Sequence, residues 1–194
     1  VQTCALPIFF DDIRRFGRIA VVPAGCYGGL PTLHELGPEP FDEAFTALGL
    51  WRSLRSGRRR LKTQLLSQRP VAGVGNIYAD EAFWRARVHP ARRSVTRAEA
   101  ERLHEAIIEV LDQGLRAGGT TLRDYRGVDG ERGANQLQLR CYGRAGLPCP
   151  RCGATLLSET WDGRTTTFCR PCQGPTPRSE EHTSELQSHH DLVC

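Results

Sequence analysis

Four cysteines near the end of this 194-residue chain are spaced like metal ligands: Cys149-Pro-Arg-Cys152 and Cys169-Arg-Pro-Cys172, with sixteen residues between the pairs. Each pair falls at a turn, and the intervening LLSETWDGRTTTF reads as a β-hairpin around Asp162-Gly163. Four thiolates gathered this way make a closed tetrahedral Zn²⁺ site, which is structural because no position is left open for a substrate. The competing readings are a pair of disulfides or a redox dithiol; both fit poorly in a cytoplasmic chain without a thioredoxin-like βαβ pattern. So short a hairpin buries little apolar area, so metal binding is expected to supply much of its folding free energy. Cys26 and Cys141 lack partners at ligand spacing and are expected to be plain buried or semi-buried thiols.

The elements that must position these groups are mainly helical. From Phe41 the apolar residues Phe41, Phe45, Leu48 and Trp51 or Leu50 repeat at three and four residues, with Asp42 and Glu43 suited to a first helical turn. A second helix, about Arg59 to Gln68, is stopped by Pro70. Val71 to Asn76 is too rich in glycine for helix, and Asn76 is placed to cap a third helix running from Ile77 to about Arg87. Thr96-Arg-Ala-Glu99 is a capping-box pattern. Behind it Leu103, Ile107, Val110, Leu111 and Leu115 form one apolar stripe that ends at Gly118-Gly119. Upstream, Phe9 to Val22 reads as two short strands around a charged turn, and Pro23 to Pro40 as a connecting loop. Downstream of Thr120 the pattern changes to turns and short strands. The fold class is therefore mainly α with a small β-rich module, and no internal repeat is visible.

Composition bounds the function. Hydrophobic content of 39% and 25% charged residues fit a globular chain, and no apolar run approaches the roughly 18 residues that a membrane span needs. The opening VQTCALPIFF lacks the basic region of a signal peptide, so the expected compartment is the cytoplasm. The chain contains no Met, so residue 1 is not expected to be the encoded start. The opening Val1 to Ile8 and the last seventeen residues from Arg178 resemble translated sequencing-adapter read-through. Residues 1–8 and 175–194 are accordingly expected to be artefact or disordered tail, and His182, His189 and His190 carry no metal reading. Between the ends, residues 9–177 hold 25 basic and 18 acidic groups, a net charge of +7. All but one of the bases are Arg, which suits phosphate binding and also follows from a GC-rich genome.

Several segments occur together: Gln68-x-x-x-Ala72-Gly73-Val74-Gly75-Asn76-Ile77-Tyr78-x-x-Glu81, Val88-His89-Pro90, Gly118-Gly119-Thr120-Thr121-Leu122-Arg123-Asp124, and Tyr142-Gly143-Arg144 ahead of the cysteines. In this order and spacing the chain, from about Phe9 to Gln173, resembles the formamidopyrimidine-DNA glycosylase family (Fpg, or MutM, relatives of Nei). The resemblance implies a remnant of a β-sandwich domain over residues 9–40, a helix-two-turn-helix DNA-binding domain over 41–125, and a lesion loop with a zinc finger over 126–174. It implies double-stranded damaged DNA as partner, one structural Zn²⁺ on Cys149, Cys152, Cys169 and Cys172, and a monomer. By the same resemblance Arg14 faces the base left unpaired and Phe16 wedges into the stack. Lys62 and Asn76 contact phosphate, and Arg164 on the zinc hairpin grips the backbone near the flipped nucleotide.

Physical chemistry agrees motif by motif. The glycines between Ala72 and Asn76 let the backbone approach a phosphate, and the following helix presents free N–H groups and a positive dipole end; the bland alternative is an ordinary helix-helix turn capped by Asn. A wedge such as Phe16 offsets part of the unstacking cost of a flipped nucleotide, where the alternative is a core Phe at a strand end. Arg164 could otherwise be a solvated turn residue and Lys62, the chain's one lysine, a helix-surface cation. Two positions depart from the family: Ile13 stands where Pro is usual, and Ala134-Asn135 where an aromatic pair is usual in the loop that covers the flipped base.

The family's nucleophile is an N-terminal proline amine followed by a glutamate, an amine route through a Schiff base to base release and strand cleavage. No catalytic residue is assigned in this chain: Pro7 is internal and has no Glu after it. The expected function is the DNA-binding half of a bifunctional glycosylase and AP lyase that removes oxidised purines, the chain as given being inactive. The alternatives are a Nei-type glycosylase for oxidised pyrimidines and a non-enzymatic zinc-dependent DNA-binding module. Gly118 to Asp124 and the Asp129-Gly130 loop favour the oxidised-purine branch.

Overall fold

The structure is a computed structural model that describes residues 19–121 and 131–174. It divides into two compact units, Val1–His34 and Glu35–Cys194. Within the described part of the first unit, the chain turns at Pro23 and Tyr27 through backbone bonds to Cys26 and Leu30, and ends in one helical turn, α1 (Pro31–His34). Residues 19–22, the end of the expected strand pair, carry no strand, since no partner strand lies among the described residues. Cys26 is exposed, against the expectation of burial; Cys141 is buried.

The second unit is built on helices α2 (Ala47–Leu54), α3 (Leu61–Leu66), α4 (Asn76–Ala86) and α5 (Arg97–Arg116). Helix α2 begins later than the periodicity predicts. Asp42 Oδ1 accepts the Ala44 N–H at 2.8 Å and holds residues 42–44 in a local turn. Thr46 then becomes the N-cap, accepting from Gly49 N at 3.1 Å. Asp42 and Glu43 therefore lie outside the first turn. Phe45 is buried beside α2, while Phe41 is exposed.

Helix α3 is shorter than predicted, because Gln68 takes a left-handed φ of 63° before Pro70 can interfere. Leu61 and Leu65, one turn apart, are fully buried. Helix α5 is the longest, opened by the expected capping box: Thr96 Oγ1 accepts from Glu99 N, and Glu99 Oε2 accepts from Thr96 N at 2.8 Å. Leu103, Ile107 and Val110 bury their stripe against α2 and α4. Leu115 continues that stripe in sequence but is exposed, on the rim of an apolar groove of about 600 Å³ shared with Phe41, Ile77 and Leu111.

Helix α4 is buried on nearly every side, from Ala79 through Trp84 to Ala86, as befits a helix enclosed by its neighbours. One flank meets the main core through Phe83. The other carries a second cluster of Trp84, Cys141, Cys149, Leu156 and Cys169. Apart from Trp84, that cluster belongs to the C-terminal module. A short 3-10 turn, Asn135–Gln138, leads to an antiparallel hairpin of β1 (Leu157–Trp161) and β2 (Arg164–Phe168), closed by α6 (Arg170–Gln173). The register pairs Trp161 with Arg164, leaving a two-residue turn at Asp162 and Gly163 with φ of 50° and 71°. Positive φ at both positions is the demand that Asp-Gly meets, as the sequence predicts. β1 is largely exposed, while Thr166, Thr167 and Phe168 of β2 are buried against α4.

Candidate metal centre and nucleic-acid interface

The hairpin folds its two Cys-x-x-Cys turns onto each other. The four sulfurs of Cys149, Cys152, Cys169 and Cys172 all lie within 4.8 Å of one another. Cys149 to Cys172 is 4.0 Å and Cys152 to Cys169 is 3.5 Å. Zinc–thiolate bonds of about 2.3 Å in a tetrahedron put sulfurs roughly 3.8 Å apart, so these residues fit a tetrahedral ion such as Zn²⁺. Burial raises the thiol of Cys149, but hydrogen bonds from Trp84 and from the backbone of Arg151 and Cys152 outweigh it and bring the group down to about 6. Burial pushes Cys169 and Cys172 up. A divalent cation would offset the mutual repulsion of the thiolates. Gln173 ties this centre to the helices: its Oε1 accepts from Cys169 N at 2.7 Å, and its Nε2 donates to Val88 O at 3.0 Å.

The glycine turn is set by a side chain just upstream of it. Gln68 Oε1 accepts from Gly73 N at 2.7 Å and Gln68 Nε2 donates to Val74 O at 2.6 Å, so one amide braces both ends of the bend. Gly73 sits at φ 78°, a conformation that a side chain would strain. The N-cap of α4 is Gly75 in extended conformation, not Asn76 as expected. With the cap taken by backbone, Asn76 opens the helix and turns its amide toward the hairpin, donating to Thr165 O at 3.3 Å.

Lys62 reaches the same carbonyl. Its Nζ donates to Thr165 O at 2.9 Å and to Thr166 Oγ1 at 3.0 Å, and pairs with Asp80 at 2.5 Å. Thr63 Oγ1 donates to Asp162 Oδ2 at 2.5 Å, fastening the hairpin tip to α3. Asn76 and Lys62 thus converge on Thr165, the residue after Arg164, and Arg164 stands exposed beside them. A cavity of about 190 Å³ lies there between α3 and the hairpin, lined by Arg59, Thr63, Trp161 and Arg164 among others. Arg60 stacks on Trp161 from the α3 side, 5.4 Å from the ring centroid.

The position of Lys62 excludes the alternative reading of a helix-surface cation. It is 3% exposed, with its ammonium engaged by three oxygen-bearing groups of the fold. It holds the strand of Arg164 in place and lines the cavity between α3 and the hairpin. Burial lowers its ammonium and raises the Asp80 carboxyl to about 6, each shift opposed by the partner's charge. Arg14 and Phe16 lie outside the described residues, as do Leu122 to Gly130, including the Asp129-Gly130 loop.

Two acidic residues do more than the sequence disclosed. Asp80 also accepts from Thr167 N at 2.9 Å, and buried Glu81 accepts the N–H groups of Arg140, Cys141 and Tyr142 at 3.0, 2.7 and 2.8 Å. Adjacent carboxylates inside an otherwise apolar helix were the available signal, because such groups must find donors. Asn135, at a departure from the family pattern, is buried; it donates to Thr120 Oγ1 at 2.8 Å and accepts from Gln113 Nε2 at 2.9 Å.

Residues 36–126 match the family model described as the formamidopyrimidine-DNA glycosylase H2TH domain. The chain is 50% identical over 174 residues to formamidopyrimidine-DNA glycosylase of Thermus thermophilus, covering 88% of this chain and 65% of that protein. It is 48% identical to the enzyme of that name from Desulforamulus reducens, covering 84% of this chain and 60% of the relative. The chain therefore spans somewhat less than two thirds of the length of these relatives. Among solved structures, the MutM (Fpg) protein from Thermus thermophilus superposes with a TM-score of 0.80 at 50% identity, over 86% of this chain and 64% of that one. A Lactococcus lactis Fpg mutant in complex with Fapy-dG-containing DNA superposes with a TM-score of 0.69 at 37% identity, over 75% of this chain and 55% of that one.

Proposed function

The chain belongs to the formamidopyrimidine-DNA glycosylase family, and on that premise we propose that it is the DNA-gripping part of a base-excision-repair enzyme acting on oxidised purines such as 8-oxoguanine and formamidopyrimidines. The whole protein would couple base removal to AP lyase cleavage. In this chain residues 41–125 serve as the helix-two-turn-helix domain and 126–174 as the lesion loop and zinc finger, after a β-sandwich remnant at 9–40. Cys149, Cys152, Cys169 and Cys172 hold one Zn²⁺, whose chemistry is to draw the two thiolate pairs together and fold the hairpin.

One observation carries this reading. Asn76 at the start of α4 and Arg164 on the hairpin come to a single edge, joined through the carbonyl of Thr165. Two separate elements thereby present a backbone-amide helix end and a guanidinium to one stretch of phosphate. Arg59 and Arg60 extend the positive edge. Fapy-dG-containing DNA and abasic DNA are the ligands named for the Lactococcus lactis relatives, which supports duplex DNA with a damaged nucleotide as the partner here.

The test is binding of the 194-residue chain to a duplex carrying an abasic analogue, titrated by fluorescence anisotropy across salt. Affinity should fall steeply between low and physiological ionic strength, as counterion release demands. Arg164→Ala should weaken binding and reduce the slope of log Kd against log salt by about one. An affinity indifferent to salt would contradict the proposal.

A further inference from the structure

The helical domain reaches the four-sulfur centre through one indole. Trp84, near the end of α4 and 8% exposed, donates its Nε1–H to Sγ of Cys149 at 3.4 Å. Its ring face is covered by Arg151, whose guanidinium carbon lies 4.1 Å from the ring centroid. A guanidinium N–H of Arg151 donates to the carbonyl of Trp84 at 2.9 Å. Because Arg151 sits inside the Cys149–Cys152 turn, the loop that carries two of the sulfurs grips the indole on its face while its sulfur takes the indole's proton donor. The next residue back, Phe83, is fully buried in the main core, so the indole is anchored from a part of the fold that does not supply metal ligands.

We propose that Trp84 is a positioning residue for the bound ion: its N–H fixes the thiolate of Cys149 and slows release of the metal, so that retention of the ion depends on α4. This rests on the reading of the four cysteines as a zinc centre. Four thiolates around a divalent cation leave a net charge of about −2, which in a buried setting is stabilised by every N–H aimed at a sulfur. The backbone donors of Arg151 and Cys152 belong to the metal turn itself and move with it. Trp84 belongs to another element and gives the ligand an external reference. The guanidinium on its face draws electron density from the ring and makes the N–H a stronger donor. Groups of this kind around a metal typically change its affinity by about 10- to 100-fold.

A packing role and a donor role are separable. Trp84→Phe keeps an aromatic ring and removes the N–H; β-(3-benzothienyl)alanine in place of Trp84 keeps the shape and replaces N–H by sulfur. Zinc content of the 194-residue wild-type chain is measured first by elemental analysis. Release of zinc to the chromogenic chelator 4-(2-pyridylazo)resorcinol is then followed in all three proteins, and each is also loaded with cobalt(II) as an optical probe. Both replacements should release zinc about 10-fold faster. In both, the thiolate-to-cobalt charge-transfer band should move to longer wavelength, because the sulfur lone pairs rise in energy when their donor is lost. Wild-type release rates with an unmoved band overturn the proposal, and so does acceleration in the Phe variant alone, which would be packing. Wild type that holds no metal overturns the zinc reading and this inference together, whereas wild type with one zinc and unaffected variants overturns this inference only.

Discussion

Lys62 and Asp80 face each other at 2.5 Å with neither side chain more than 3% exposed, so the pair is sealed from water and each charge depends on the other. Removing one partner strands the other, which typically costs about 3–5 kcal/mol. Lys62→Met should lower stability by that order in urea denaturation. Adding Asp80→Asn should recover much of the loss, because the amide oxygen still accepts from Thr167 N while carrying no charge. In that folded double variant the salt slope of DNA binding tests the phosphate contact expected of Lys62: a slope smaller by about one would support it, and an unchanged slope would remove it. His89 makes a pH prediction. It is buried, its Nδ1 accepts from Ala91 N at 3.2 Å, and its ring meets the edge of Phe168 at 4.7 Å. Burial, then the charges of Arg92 and Arg170, lower it to about 4 from an ordinary 6.5. The unfolded chain therefore binds more protons between about pH 4 and pH 6.5, and stability falls as pH drops through that window, by up to about 1.4 kcal/mol per pH unit. Relative to His89→Asn, wild type should lose stability between about pH 7 and pH 5. A constant difference between the two would remove the assignment.

At the scale of elements, what was legible in the sequence was local. The capping box of α5 lies within four residues, so Thr96 and Glu99 announced the helix start, and Thr96→Ala should cost about 1 kcal/mol of stability in thermal denaturation. An unchanged midpoint would show that the cap is redundant with the Arg92–Glu99 ion pair at 2.5 Å. The hairpin was legible for the same reason: Asp162-Gly163 fits only a narrow class of turns, and the cysteine spacing fits a closed metal site. The start of α2 was not, because Asp42 satisfies either a helix N-terminus or a local turn and only its bond to Ala44 decides. The inward direction of Lys62 was hidden more deeply. It depends on partners more than a hundred residues away in sequence, Thr165 and Thr166, and on an acidic residue of another helix. The cap at Gly75 hid the use of Asn76 in the same manner, since an N-terminal Asn looks alike whether it caps its own helix or reaches across to a strand.

At the scale of the second compact unit, the hairpin and the helices share their bonds so fully that they should not unfold apart. Asp80 and Glu81 hold backbone amides from both strand β2 and the segment 140–142, Gln173 bridges Cys169 to Val88, and Lys62 spans α3, α4 and β2. Each of these groups is buried, so breaking the contact exposes or orphans a polar atom at about 1–3 kcal/mol. Losing the metal would loosen Cys149 and Cys169, then leave Asp80, Glu81 and Lys62 without their partners inside an apolar helix bundle. Removing bound metal with a strong chelator, or Cys149→Ser, should consequently lower the melting temperature of the helices along with that of the hairpin. Far-ultraviolet circular dichroism, which reads the helices, and tryptophan emission, to which Trp161 of the hairpin contributes, should then move in one transition. DNA binding should disappear over the same range of chelator, because Arg164 keeps its place beside Asn76 only while β2 is docked. Two separated transitions, with the helices melting at their original temperature, would show that α4 tolerates its buried carboxylates unpaired and that the metal module is an independent appendage.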